Sequence, residues 1–558
     1  MTIDPLVATE QAKLTASDGA AGDAFGWSVD LDGDTAVVGA IANGLRGAAY
    51  VFVRSGTTWT EQQKLVAADG FALDLFGTDV AIDGDTAIVG APGDDPPTGS
   101  GSAYVFVRTG TAWTQQAKLR APDAAEFDDF GEAVALDGDT AVVGAHFDDH
   151  DAGGNAGSAY VFVRSGGVWT LEQKLTAADA STNDNFGDAL AIDGHTVVVG
   201  SRAIAALGAG AVYVFGRTGA SWTQLQKLVA SDAASADFLG ASAGPCLALH
   251  GDTLVAGAEG KDVGPVLNAG AAYVFVRDGA TFVERQRLVA SDGAPSDVFG
   301  RAVALDGDIA VIGAPGDDGA GESSGAAYVF SRSGTAFAEQ TKVAASDAAA
   351  GDVFGSHLAV DGDTVVVGAR FDDDRGMNSG SAYVYALEPG GIAFDIAALR
   401  AAVAASLAGL GPGDDGFDEL ASVLIFLDET GPAVRGRERH GARPARERHG
   451  EAQGRGPEGD RLRLVPGGPA LHRPRGVRRG RDPRFGRVPE RHRGRAPRAA
   501  GRDRLPGPGD REVRRRRLRG GLSTPSRRRR TSGSRPSRRS CPELEGARGR
   551  RRHVLSPL

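Results

Sequence analysis

Cysteine is almost missing from this 558-residue chain. Cys246 and Cys541 cannot build a disulfide framework, and no Cys-x-x-Cys pair points to a cysteine-based zinc site. No apolar run approaches the roughly 18 residues of a membrane-spanning helix. The first ten residues, Met1-Thr-Ile-Asp-Pro-Leu-Val-Ala-Thr-Glu10, have neither the basic start nor the apolar stretch of a signal peptide. HExxH, a P-loop and any unrepeated Ser/His/Asp set are also lacking, and His146, His150 and His357 stand alone without metal-ligand spacing. Catalysis normally rests on a few unrepeated groups. These absences argue against an enzyme.

The net charge of −11 hides two unlike segments. Of 61 basic residues 39 fall after position 430, all arginine, whereas only 12 of the 72 acidic residues do. Residues 1–430 therefore keep 22 basic and 60 acidic residues, a net of −38, and the tail carries +27. No partner can be inferred from the average.

The acidic segment is a sevenfold repeat. A Phe-Gly step recurs at Phe25-Gly26, Phe76-Gly77, Phe130-Gly131, Phe186-Gly187, Phe299-Gly300 and Phe354-Gly355, with a degenerate fifth copy at Phe238-Leu239-Gly240. A second glycine follows 13 positions later at Gly39, Gly90, Gly144, Gly200, Gly313 and Gly368. In the fifth copy it is Gly257, displaced by an insertion around Pro245-Cys246.

Each copy reads as four short strands. An alternating stretch leads to an Asp-Gly hairpin signal such as Asp32-Gly33, then to an apolar run ending in Gly39-Ala40. A variable loop precedes Ala49-Tyr-Val-Phe-Val-Arg54, and a Ser-Gly turn enters Trp59-Thr-Glu-Gln-Gln-Lys-Leu65. Four strands per 50-odd residues, repeated seven times, is the arithmetic of an all-β, seven-bladed propeller. The seventh copy breaks at Glu388-Pro-Gly-Gly391 with only three strands. Thr9-Glu-Gln-Ala-Lys-Leu-Thr15 copies Thr60-Glu-Gln-Gln-Lys-Leu-Val66, so residues 9–16 are expected to supply the missing outer strand. Repeats then start near residues 13, 64, 118, 174, 227, 287 and 342 of a domain spanning 9–387.

Phe-Gly followed by Gly-Ala-Pro, as in Phe76-Gly77 with Gly90-Ala-Pro92 and Phe299-Gly300 with Gly313-Ala-Pro315, resembles the FG-GAP repeat. That is the propeller repeat of integrin α chains and of many bacterial cell-surface and secreted proteins. The resemblance implies a monomeric propeller that acts as a binding or adhesion module, outside the cell or at its surface, with a protein or glycan as ligand. The alternative is a structural repeat protein of a secreted or envelope assembly without a specific ligand.

Many FG-GAP members carry a calcium loop between the first two strands. Here that connection is only Asp32-Gly33-Asp34 or its equivalents, too short for the six to eight oxygens calcium takes. These aspartates are expected to bond their own turn backbone. A second acidic location follows the Gly-Ala step of repeats two, three, six and seven. It offers Asp94 and Asp95, Asp148, Asp149 and Asp151, Asp317 and Asp318, and Asp372, Asp373 and Asp374 as weak calcium candidates on one rim. Solvated acidic loops are the alternative. A third recurrent pair, Asp18/Asp23 and its copies, with the second Asp two residues before Phe, suits turn capping. Trp59, Trp113, Trp169, Trp222, Phe282 and Phe337 share one position per repeat and are expected to fill the space between blades.

Residues 388–430 form a transition, helical at 394–410 by its Ala/Leu content and with a strand or second helix at 421–427. From about 431 the chain is Arg-, Gly-, Pro- and Ala-rich, with runs at 514–517 and 527–530, and cannot offset the entropy of ordering. A disordered basic tail of this kind suits nucleic acid or an anionic surface. The same composition arises from a GC-rich gene read in a shifted frame.

Overall fold

The computed structural model describes residues 6–95, 99–202, 208–241 and 245–389. The expected helix at 394–410, the segment 421–427 and the basic tail lie outside the described residues. Each repeat is one four-stranded antiparallel sheet. In the second repeat the strands are Val80–Asp83, Thr86–Ala91, Ser102–Thr109 and Ala112–Leu119. The second strand is buried along its whole length and the third over its first five residues, because both lie between neighbouring sheets. The fourth alternates exposed and buried residues, as a rim strand should. First strands of successive sheets touch in chain order, and His357–Asp361 of the seventh touches Phe25–Asp32 of the first. The sheets thus form a ring, a seven-bladed β-propeller with the first strands around its axis. The seventh sheet holds Leu6–Leu14 as its outermost strand, antiparallel to Ser381–Pro389. That N-terminal strand starts three residues before the expected position, and its partner runs on past the break expected at Glu388.

Among the described residues the core is divided. Seven apolar layers each join one blade to the next. In the layer between blades one and two, Val37, Ala49, Val51 and Leu65 meet Phe76, Val80, Ile82, Val89, Tyr104, Phe106 and Trp113. Trp59, Trp113, Trp169, Trp222, Phe282 and Phe337 are all buried in such layers. The Phe of each intact Phe-Gly step is buried edge-on against two third-strand aromatics. Phe76 lies 5.5 Å from Tyr104 and 6.0 Å from Phe106 between ring centroids.

The glycines of the repeat meet across blades. The Gly77 N–H donates to the Gly90 carbonyl of its own blade at 2.9 Å, which explains their spacing of 13. Gly77 also faces Gly39 of blade one: a Cβ on Gly39 would sit on the Gly77 carbonyl oxygen, and a Cβ on Gly77 would meet the Ala48 carbonyl oxygen at 2.5 Å. The same contact recurs at every blade boundary through to Gly368 against Gly26.

On the opposite end, the Asp-Gly turns differ from expectation. The first aspartate of each turn reaches across to a neighbouring blade. Asp32 accepts the Gly84 N–H of the next blade at 2.7 Å, Asp83 accepts Gly138 and Asp137 accepts Gly194, both at 2.5 Å. Asp193 accepts Gly251, Asp306 accepts Gly362, and Asp361 accepts Gly33 across the first and last blades. His250 occupies this place in blade five and contacts Asp306 at 3.2 Å. A carboxylate pointing along the ring finds an unused turn N–H there, whereas its own turn is already closed.

Two substitutions separate the roles of glycine. Gly77→Ala combines a φ of +98° with a blocked neighbour and should cost about 3 kcal/mol. Gly84→Ala has a φ of +60° but open space around it and should cost about 1 kcal/mol. Urea denaturation of both variants checks this, and equal losses would contradict the inter-blade contact.

Candidate functional site

Antiparallel pairing puts the start of each first strand, the loop between second and third strands and the end of each fourth strand at one end of the ring. Every acidic loop singled out in the sequence lies on this face. In blade two the third-strand Tyr104 is fully buried, and its hydroxyl donates to Asp69 at 2.9 Å and Asp94 at 2.8 Å. The Lys118 ammonium, from the end of the fourth strand, bridges the same two carboxylates at 2.9 and 2.5 Å and lies 5.1 Å from the Tyr104 ring centroid. The node repeats. Lys174 and Tyr160 hold Asp123 and Asp148; Lys342 and Tyr328 hold Asp292 and Asp317; Lys13 and Tyr383 hold Asp347 and Asp372.

The candidates therefore divide. Asp94, Asp148, Asp317 and Asp372 are buried and each already holds an ammonium group. Asp149, Asp318 and Asp373 accept backbone N–H groups of Asn155, Ser323 and Asn378 and shape their own loops. Asp95 pairs with Arg120 at 2.5 Å, Asp374 with Lys13 at 2.5 Å, and Asp151 is exposed. Asp347, Asp372 and Asp374 place carboxylate oxygens within 4.8 Å of one another, yet Lys13 bonds all three. These oxygens surround the Lys13 ammonium. Variants of the node confirm its logic. Blade one has Asn43 in place of the loop aspartate, with Lys64 bonded to its Oδ1, and blade five has Lys261, which reaches Asp237 at 2.9 Å while Arg287 takes Asp232. The signal was present in the sequence as the basic residue near the end of each fourth strand.

The paired aspartates before Phe also divide. Asp23, Asp74, Asp128, Asp237, Asp297 and Asp352 cap the turn three residues earlier, as expected, whereas Asp18 and its copies belong to the lysine node.

The axis carries groups that the repeat does not predict. The residue after each Phe-Gly and the residue after each Gly-Ala, or Gly-Ser in blade four, lie at the loop-face mouth of the first strands. These positions read Trp27, Thr78, Glu132, Asp188, Arg301 and Ser356 for the former, and Ile41, Pro92, His146, Arg202, Glu259, Pro315 and Arg370 for the latter. They are not repeated from blade to blade, and stand out in the sequence only when the seven repeats are aligned. Arg202 donates to Asp188 at 3.1 Å, and Arg301 to Glu259 at 2.9 Å.

An FG-GAP repeat profile matches residues 8–52, 59–106, 113–162, 169–215, 222–275, 282–330 and 337–385, more than half of the chain. The chain belongs to the FG-GAP repeat family. Among curated proteins none matches it. Among solved structures it is similar to a chain in "Crystal Structure of Mitotic Checkpoint Complex", with 12% identity, a TM-score of 0.42 and coverage of 67% of this chain and 93% of that one. No helix among the described residues is long and apolar enough to cross a membrane.

In this FG-GAP propeller the lysine-bound Asp292 and the axial Glu132 shift in opposite directions. Burial pushes the Asp292 carboxyl up, but hydrogen bonds from Lys342 and Tyr328 outweigh it and hold it below the usual carboxylate range; Asp69, Asp123 and Asp347 behave alike. At the axis the opposing charge of Arg202 is outweighed. Burial, then the charges of Asp129, Asp188 and Asp79, push Glu132 up to about 8.

Two outcomes follow for this FG-GAP chain. Chelator should leave its melting temperature unchanged, whereas Lys13→Ala, which strands three carboxylates, should melt lower in chelator and recover partly in calcium. An equal calcium response in both proteins would show that lysine does not fill the cation position. Secondly, a carboxyl raised in the folded state favours folding when protonated and loses that contribution as pH rises through its folded pKa. Glu132→Gln should therefore melt above the parent protein by a gap that opens between about pH 5 and pH 8 and then levels off. Melting curves across that range provide the check, and a gap independent of pH would contradict it.

Proposed function

We propose that the propeller is a non-catalytic binding module that presents its loop face, at the arc of blades one to three, to a protein or glycan ligand outside the cell or at its surface. One observation carries this reading. The third residue before each Phe, or before Leu239 in the degenerate fifth copy, has positive φ in all seven blades, as Gly22, Leu73, Phe127, Asn183, Ala236, Ser296 and Gly351. Glycine or asparagine suits that conformation, and a branched or aromatic side chain is strained by it. Leu73 and Phe127 nevertheless occupy it, and are 71% and 63% exposed. Leu45, 70% exposed, lies beside Leu73, whose N–H donates to its carbonyl at 2.7 Å, and Phe71 is exposed in the same loop. Large apolar side chains held mostly exposed in a strained backbone support a contact with another molecule.

The double variant Leu73→Gly/Phe127→Gly separates ligand binding from folding. It should raise stability by about 1 kcal/mol per site and abolish saturable capture of a partner from cell-envelope and matrix fractions. No saturable partner for the parent protein would favour a structural repeat protein without a specific ligand. Capture unaffected by the double variant would place the contact elsewhere.

A further inference from the structure

The axial mouth at blade seven holds a guanidinium whose partner is missing. Arg370 follows the Gly-Ala step of that blade, and its guanidinium carbon lies 4.4 Å from the Trp27 ring centroid and 5.1 Å from that of Phe371. Stacking occupies the faces of a guanidinium and leaves its N–H edge for hydrogen bonds. Yet the Arg370 Nε is buried with no hydrogen-bond partner, and Arg370 has no carboxylate in ion-pair contact among the described residues. The charges nearest in effect are Arg301, which repels it, and Glu259, which is already bonded to Arg301 at 2.9 Å. Two further orphaned polar atoms belong to the same blade: the Ser356 hydroxyl, 1% exposed, and His357 Nδ1, 3% exposed. Burial and the charges of Arg370 and Arg301 push His357 well below the usual histidine range, so the imidazole is neutral and offsets no charge. Burial and Arg301 push Arg370 itself down to about 10.

Blade four shows what would complete this arrangement. Arg202 stands at the position of Arg370, and Asp188, 14 residues before it, stands at the position of Ser356. There the arginine Nε donates to the Asp188 carboxylate at 3.1 Å. Blade seven keeps the arginine and replaces the acid by serine, so the atom that is orphaned is the one that finds a carboxylate in blade four. A buried cation without a partner is costly, and the repeat supplied a ready solution that this blade does not use.

We propose that Arg370, supported by Arg301, binds the carboxylate of a ligand in the place that the Asp188 side chain fills in blade four. The ligand class is a small carboxylic acid, or a larger molecule with one exposed carboxylate, with Trp27 beside the guanidinium at the same mouth. This stands independently of any partner on the loop face.

The probe is acetate, compared with chloride and inorganic phosphate at matched ionic strength, on the full chain. Acetate should raise the melting temperature saturably, with one site per chain by calorimetry. Arg370→Gln should lose that response. Ser356→Asp should place an internal carboxylate at the site, melting higher than the parent protein in chloride and no longer responding to acetate. Arg164→Gln, a repeated arginine on the opposite end, should respond as the parent does. Absence of a saturable acetate response in the parent protein would overturn the proposal, as would an unchanged response in Arg370→Gln. A response to phosphate but not to acetate would overturn the carboxylate assignment. If Ser356→Asp does not fold, the Arg370→Gln comparison decides alone.

Discussion

The architecture depends on one close approach: the Phe-Gly glycine of each blade against the Gly-Ala glycine of the blade before it. With no Cβ on either side, a carbonyl of one blade lies against the Cα of the next, as Gly77 does against Gly39. That proximity brings the first strands together around the axis and presses each second and third strand between two neighbours. The burial of Tyr104 and Phe106 follows from it, and so does the edge-on seat of Phe76. Because each layer belongs to two blades, no blade is complete alone.

Away from this contact the blades are joined by polar belts that repeat with the chain. The turn end carries the aspartate-to-glycine bonds. Beside them each third-strand arginine reaches back to the preceding blade, as Arg108 does to Thr35 at 2.9 Å while holding Asp85 of its own blade at 2.7 Å. At the rim Gln63 exchanges two bonds of 2.8 Å with the backbone of Trp113, and Gln173, Gln226 and Gln286 repeat the pattern. The loop end carries the lysine nodes. The repeated charges of this acidic segment are thus largely consumed by the fold, and the excess negative charge that suggested cation binding is partly answered by lysines at the same nodes.

The proposed recognition falls to what the repeat does not share. Two places stand out for different physical reasons. On the loop face, leucine and phenylalanine occupy a backbone conformation that other blades give to glycine, asparagine, alanine or serine, and their side chains are exposed. At the axis, two positions of the repeat bring variable residues from different blades to a common mouth, and there like charges are crowded: Glu132 near Asp129 and Asp188, Arg370 near Arg301. Symmetry lets a propeller spend its repeated residues on cohesion and its unrepeated ones on chemistry.

Most of the fold was legible in the sequence because it is written seven times. Phe-Gly, the glycine 13 residues on, the Asp-Gly turn and the Tyr-Val-Phe strand are local patterns, and their period alone gives strand number, blade number and the origin of the seventh outer strand. The roles of individual carboxylates were not legible. Asp32 looks like a residue that bonds its own turn because its partner lies in the next blade, and Asp94 like a metal ligand because its lysine comes from another strand of the same blade. Gly84 lies 52 residues from Asp32, and Lys118 lies 24 from Asp94. The axial cluster was hidden for the same reason, since Ser356, Arg370, Arg301 and Trp27 come from three blades. Sequence alone determined everything set by short-range backbone preference and periodic burial. Tertiary structure decided which charges meet, because only ring assembly brings one residue of each blade to a shared point.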